Sequence, residues 1–128
     1  MMKKTCLLLL VLLLITGCDS REKEKVVVDN KITTEEVYKL IDDMETVIVD
    51  VRESYEYNYS HIKNAINVPL SDIESFDNLG FNKDKKIIVY CQSGRRSEMA
   101  LKELNTLGYT NVFDMSGINS WDYELVSE

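Results

Sequence analysis

The run Lys86-Ile87-Ile88-Val89-Tyr90 constrains the fold of this chain more than any other feature, because no polar residue interrupts it after Lys86. A strand with one face in water alternates polar and apolar side chains. A strand that does not alternate has both faces covered, as in the middle of a parallel sheet with helices above and below. Ile, Val and Tyr also suit the pleated surface. Cys91 ends the run, and Gln92-Ser93-Gly94-Arg95-Arg96-Ser97 follow it. Ala100, Leu101, Leu104 and Leu107 then recur at helical spacing, with Gly108 as the stop.

The remaining segments repeat this alternation of strand and helix. The sequence predicts a first strand at 26–28 and a helix through about residue 41, opened by the capping box of Thr33 and Glu36. Next come a strand at 46–51, a helical turn at 55–59, a short strand at 65–68 before Pro69 and a short helix at 71–79. After the central strand and its helix, a last strand is expected at 111–115 and a closing helix at 118–125. The class is therefore α/β. With 128 residues and no internal repeat, the chain holds one domain's worth of sequence.

Its start has a different character. Lys3 and Lys4 precede an apolar run from Cys6 to Ile15, shorter than the ~20 residues a membrane-spanning helix needs and patterned as a secretory signal. Ile15-Thr16-Gly17-Cys18 has the form of a bacterial lipobox, in which small residues admit a peptidase that cuts before a lipidated cysteine. An ordinary signal peptide with an incidental cysteine is the alternative. The expectation is a signal peptide at 1–17, a lipidated N-terminus on Cys18 with a charged tether at 18–25, and a folded domain at 26–128. Two acyl chains exceed the single chain that anchors only marginally, so the domain is expected outside the cytoplasm, held on a bacterial membrane.

Charge restricts the partners. Removing Lys3 and Lys4 from the 15 basic residues leaves 13 against 22 acidic ones, a net charge of −9. Nucleic acids and anionic lipid headgroups should repel such a domain. Against this background Arg95-Arg96 concentrates positive charge, although a solvated pair on a helix would read the same way.

Once Cys6 departs and Cys18 carries lipid, Cys91 is the only free thiol. An unpaired cysteine outside the cytoplasm is either reactive or buried and inert, and the count alone does not choose. Position does. Cys91 ends a buried strand and opens a helix, where open parallel sheets bind ligands. Gly94 can turn several N–H groups inward. Those amides, the positive helix end and the arginines would favour a thiolate or a bound anion. One histidine, His61, and one free cysteine are too few for a typical zinc site.

In order along the chain stand Asp50-Val51-Arg52-Glu53 and Glu56, then His61-Ile62, Ala65 and Asn67-Val68-Pro69. The loop from Cys91 to Ser97 follows, and then Gly108-Tyr109, Val112, Gly117 and Trp121. In this order and spacing the chain resembles the rhodanese-like sulfurtransferases of the single-domain type. The resemblance implies a five-stranded parallel sheet flanked by helices on both faces. It also implies transfer of a sulfane sulfur from thiosulfate or a similar donor to a thiol or cyanide, through a persulfide on Cys91. Backbone amides from Gln92 to Ser97 would hold the outer sulfur, with hydrogen bonds from Ser93 and Ser97. Arg95 would face the mouth and attract the donor, while Arg96 would shape the loop and stabilise the thiolate. Asp50, Arg52, Glu56 and His61 would be mainly structural. No cofactor, metal or nucleic acid is implied.

Two positions depart from the pattern: Ser60, where glycine often precedes His-Ile, and Ile118, where a second glycine often follows Gly117. Both bear on the pocket rim and hence on the substrate. A related phosphatase or arsenate reductase would need Cys-x5-Arg, whereas Arg96 gives Cys-x4-Arg and the longer motif's position holds Ser97. The other alternative is a noncatalytic rhodanese-like binding or sulfur-carrier module. The presence of Cys91, Gly94 and Arg96 together favours catalysis.

Overall fold

The structure, a computed structural model, describes residues 30–128. In chain order it contains α1 (Thr34–Leu40), β1 (Thr46–Asp50), α2 (Ser54–Tyr59) and β2 (Ile66–Asn67). A 3₁₀ segment (Leu70–Leu79), β3 (Lys86–Cys91), α3 (Arg95–Thr106), β4 (Val112–Gly117) and a short 3₁₀ turn (Ile118–Ser120) complete it. The strands form one sheet in the order β2-β1-β3-β4, and all pairs are parallel.

Side chains alternate across the sheet with the two-residue period of a strand. Val47, Val49, Ile87, Val89 and Cys91 face one cluster, completed by Ala100, Leu101 and Leu104 of α3 and by Ile73 and Phe76 of the 3₁₀ segment. Ile48, Ile88 and Tyr90 face the other, with Val37 of α1, Tyr57 of α2, Met115 and Trp121. Both faces are covered, and this is why β3 has no alternation to show.

Local signals set the ends of the elements. Thr33 Oγ1 accepts from the Glu36 N–H at 3.1 Å while Glu36 Oε2 accepts from the Thr33 N–H at 2.9 Å, the reciprocal capping expected at α1. Past α3, Gly108 takes φ 99°, so that its N–H reaches the Asn105 carbonyl and that of Tyr109 the Leu104 carbonyl.

Two expectations need correction. The sheet has four strands among the described residues, not five; the strand expected at 26–28 lies outside them, as do the signal, Cys18 and the tether. At that edge Lys31 makes an isolated parallel bridge to Asp114. The closing helix expected at 118–125 is also absent beyond Ser120: Trp121 is extended at φ −82° and ψ 114°, and the tail runs back to pair with His61. The His61 N–H donates to the Val126 carbonyl at 2.8 Å, and the Val126 N–H to that of His61 at 2.9 Å. Trp121 is buried on the α1 face, where its ring and that of Tyr123 meet Tyr38. Long-range pairing and burial thus prevail over the helix expected there.

Candidate active site

Cys91, the last residue of β3, lies at the carboxyl edge of the sheet opposite Gly117 of β4. Its side chain is almost enclosed. The Gly94 N–H donates to Sγ at 3.0 Å, and Ser97 Oγ lies 3.5 Å from the sulfur. The single hydroxyl hydrogen of Ser97 has carbonyl acceptors at Gly94 (3.0 Å) and Ser116 (3.3 Å). With that hydrogen on a carbonyl, a lone pair is left to accept the thiol S–H.

The tightness of this loop depends on β4. A bulge shifts the register, so that Val89 faces Asp114 but Tyr90 faces Ser116. Ser116 sits at φ 73°, held by its N–H donating to Asp114 Oδ1 at 2.7 Å. Gly94, at φ 113°, lies so close above it that a Cβ there would come within 3.3 Å of Ser116 Cβ. At Gly117 there is no room: a Cβ would stand 2.4 Å from the Gln92 carbonyl oxygen and 2.8 Å from Ser93 Cα. The loop rests on the bare backbone of Gly117.

Gln92 is tied in from both sides. Its Oε1 accepts from Arg52 at 3.2 Å, its Nε2 donates to Asn119 Oδ1, and its carbonyl accepts the Asn119 N–H at 3.2 Å. Arg52 in turn is buried on the Asp50 carboxylate, with its Nε at 3.0 Å and a terminal nitrogen at 2.7 Å, and it donates to the Ser60 carbonyl at 2.6 Å. Among the described residues no buried side-chain nitrogen or oxygen lacks a partner. Every buried polar group of this frame is satisfied, as such networks require.

The two arginines part company. Arg96 grips Glu56 with two nitrogens, at 2.7 and 3.0 Å, and Glu56 Oε2 also accepts the Glu53 N–H at 2.9 Å. The Arg96 guanidinium holds the Glu56 carboxyl below the usual carboxylate range, and Glu56 raises Arg96 in return. Arg95 is exposed and its side chain has no hydrogen bond or ion pair with the described residues, and Ser93 is exposed as well. Of the residues singled out in sequence, Cys91, Gly94 and Ser97 therefore meet at the sulfur. Gln92 and Arg96 turn to supporting contacts.

His61 is buried, stacked 3.7 Å from the Tyr57 ring, with Nδ1 donating to the Tyr57 carbonyl at 2.8 Å. Tyr90, whose hydroxyl accepts the Ile62 N–H, is equally internal, and burial pushes its phenol well above the ordinary range. Among the described residues no three His, Cys, Asp or Glu side chains are grouped to hold a metal.

Beside the loop, at the carboxyl ends of β1 and β3, lies an open cleft of about 580 Å³. The connection after β1 runs to β2 on one side and the connection after β3 runs to β4 on the other, and such a divergence is where open α/β sheets take ligands. Tyr55 and Tyr59 line it from α2, Ile118 and Leu125 from the C-terminal segment. Gln92 completes it on the loop side. Ser60 lines it too, so both positions that depart from the family pattern do. Sequence spacing did not bring Asn119, Ser116 or the tyrosines to the site, because they reach it only through the order of the strands.

A model of the rhodanese-like domain matches residues 33–124. A tRNA uridine(34) hydroxylase of Erwinia tasmaniensis is 39% identical over 87 residues, covering 64% of this chain and 25% of that protein. An adenylyltransferase and sulfurtransferase uba4 of Ogataea parapolymorpha is 35% identical over 79 residues, covering 61% and 20% respectively. The chain thus spans about a quarter of the length of the curated relatives it matches. A rhodanese-related protein of Thermoplasma volcanium, solved as a crystal structure, superposes with a TM-score of 0.67 at 33% identity, covering 77% of this chain and 99% of that one. With the match running from the α1 cap to the C-terminal segment and taking in the Cys91 loop, this chain belongs to the rhodanese-like domain family.

Proposed function

We propose that the protein is a sulfurtransferase that carries a sulfane sulfur on Cys91. The observation that carries this reading is the Gly94 amide aimed at Sγ from a loop that closes directly into α3. In the first half-reaction the Cys91 thiolate attacks the outer sulfur of thiosulfate or a similar donor. The donor's S–S bond breaks, sulfite leaves with the electron pair, and Cys91 becomes a persulfide. An acceptor thiolate or cyanide then takes the outer sulfur, and the electron pair returns to Sγ. The thiolate is both nucleophile and leaving group, so the cycle needs no cofactor. Backbone amides between Gln92 and Ser97 are suited to hold the outer sulfur, and Arg95 to attract the donor. The family likeness and the intact loop support this reading over a binding-only module. The test is mass spectrometry of the native protein after thiosulfate: a gain of one sulfur atom on Cys91, lost again on adding cyanide, is expected, and Cys91→Ser should neither gain it nor turn over. Full activity in Cys91→Ser would reject the proposal.

The proposal extends to location. Cys18, in the lipobox of residues 15–18, is taken to carry the lipid that holds the domain outside the cytoplasm on a bacterial membrane.

A further inference from the structure

We infer that the cleft beside the Cys91 loop is the seat of the sulfur acceptor, and that this acceptor is an uncharged organic thiol with an aromatic or extended apolar body. The inference rests on the sulfurtransferase reading and adds the acceptor's chemical class.

Three observations point to it. The first is size. A space of about 580 Å³ falls within the range of small-molecule sites and is far larger than cyanide or a thiosulfate ion needs. The second is charge. The ionic groups that line the cleft, Arg52 and Glu56, are already engaged, Arg52 by Asp50 and Glu56 by Arg96. No cationic side chain that lines it is left to pair with the carboxylates of an anionic thiol, and the net charge of the whole chain, −7, disfavours one further.

The third is the wall. Tyr55 and Tyr59 are four residues apart on α2 and so share one face of the helix. They are 75% and 85% exposed, yet both line the cleft opposite Ile118 and Leu125. Flat rings with a polar tip bind an apolar body at small entropic cost, since each has only two torsions to fix. Ile118 stands where the family pattern often has glycine and adds apolar surface that glycine could not.

The site also lies next to the chemistry. Gln92, which lines the cleft, directly follows Cys91, and Glu56, which lines it too, holds Arg96 of the same loop. In the transfer step the acceptor thiolate attacks the outer sulfur of the Cys91 persulfide. That sulfur leaves bonded to the acceptor as a new persulfide, the old S–S bond breaks, and its electron pair returns to Sγ as thiolate. No net oxidation occurs and no further reactant is needed.

The experiment loads the full-length protein with thiosulfate, confirms the added sulfur by mass, and follows single-turnover discharge to benzyl mercaptan, mercaptosuccinate and cyanide. Each is measured in the unaltered protein and in the double variant Tyr55→Ser, Tyr59→Ser. The rate to benzyl mercaptan relative to cyanide should fall about tenfold in the variant, while the ratio of mercaptosuccinate to cyanide changes less than about twofold. Comparing variants thiol by thiol removes differences in intrinsic nucleophilicity. A persulfide that forms but discharges to benzyl mercaptan with the same relative rate in both proteins overturns the acceptor site alone. Failure of the unaltered protein to form a persulfide overturns the sulfurtransferase reading, and this inference with it.

Discussion

At Arg96 the two-pronged grip of Glu56 neutralises the guanidinium within its own ion pair, whereas Arg95 beside it is exposed with no such partner. An anionic donor approaching the loop therefore meets Arg95. Arg95→Ala should raise the apparent KM for thiosulfate about tenfold with kcat little changed, the pattern of a lost binding contact. The effect should shrink in high salt, because charges at an exposed mouth are screened beyond roughly 8–10 Å. A salt-independent change would place Arg95 elsewhere in the mechanism. At Gly117 the limit is steric. The Cβ of Gly117→Ala would collide with the Gln92 carbonyl, a backbone group that cannot swing aside as a side chain can, so the loop has to move as a unit. We expect destabilisation of about 1–3 kcal/mol and loss of most transfer activity, read by thermal unfolding and by the persulfide mass. Unchanged melting and activity would show that the loop yields.

Among the elements, the contact that matters most to the site joins α2 to α3, because Glu56 accepts from the Glu53 N–H at the start of one and from Arg96 at the start of the other. Its pH dependence follows from the direction of the shift. Arg96, and then the Glu53 N–H, hold the folded Glu56 below the ordinary carboxylate value of 4.5 against the opposing cost of burial. The unfolded chain therefore binds the proton more readily, and stability rises with pH across that interval. The contribution is fully present above about pH 4.5 and is lost as pH falls through the lowered folded value. Glu56→Gln should melt below the unaltered protein at pH 7, with the gap closing below pH 4.5. A gap that stays constant down to pH 3 would mean that the pair contributes shape rather than charge. Because the same pair positions the first turn of α3, the variant should also slow persulfide formation even where it is fully folded.

For the whole molecule, the proposed lipid anchor and the acidic charge act together: the lipid would hold the domain at a membrane whose anionic headgroups its surface repels. Cys18→Ser should move the protein from the membrane to the soluble fraction and abolish a lipid-dependent mass shift, and unchanged fractionation would remove the anchor from the account. Much of this molecule was legible in its sequence, because the signals concerned are local. The unbroken Lys86–Tyr90 run required a strand covered on both faces, Thr33 and Glu36 cap a helix with each other, Gly108 ends one, and Cys91 stands between strand and helix whatever the rest of the chain does. What tertiary structure decided depends on residues far apart in sequence. Arg96 reaches Glu56 across 40 positions, Gln92 meets Asn119 across 27, and Val126 pairs with His61 just past the segment expected to be a closing helix. The strand order and the bulge at Ser116 set these meetings. Side-chain spacing fixes which face of an element is apolar, but it carries no information on which distant backbone will satisfy a hydrogen bond or fill a pocket.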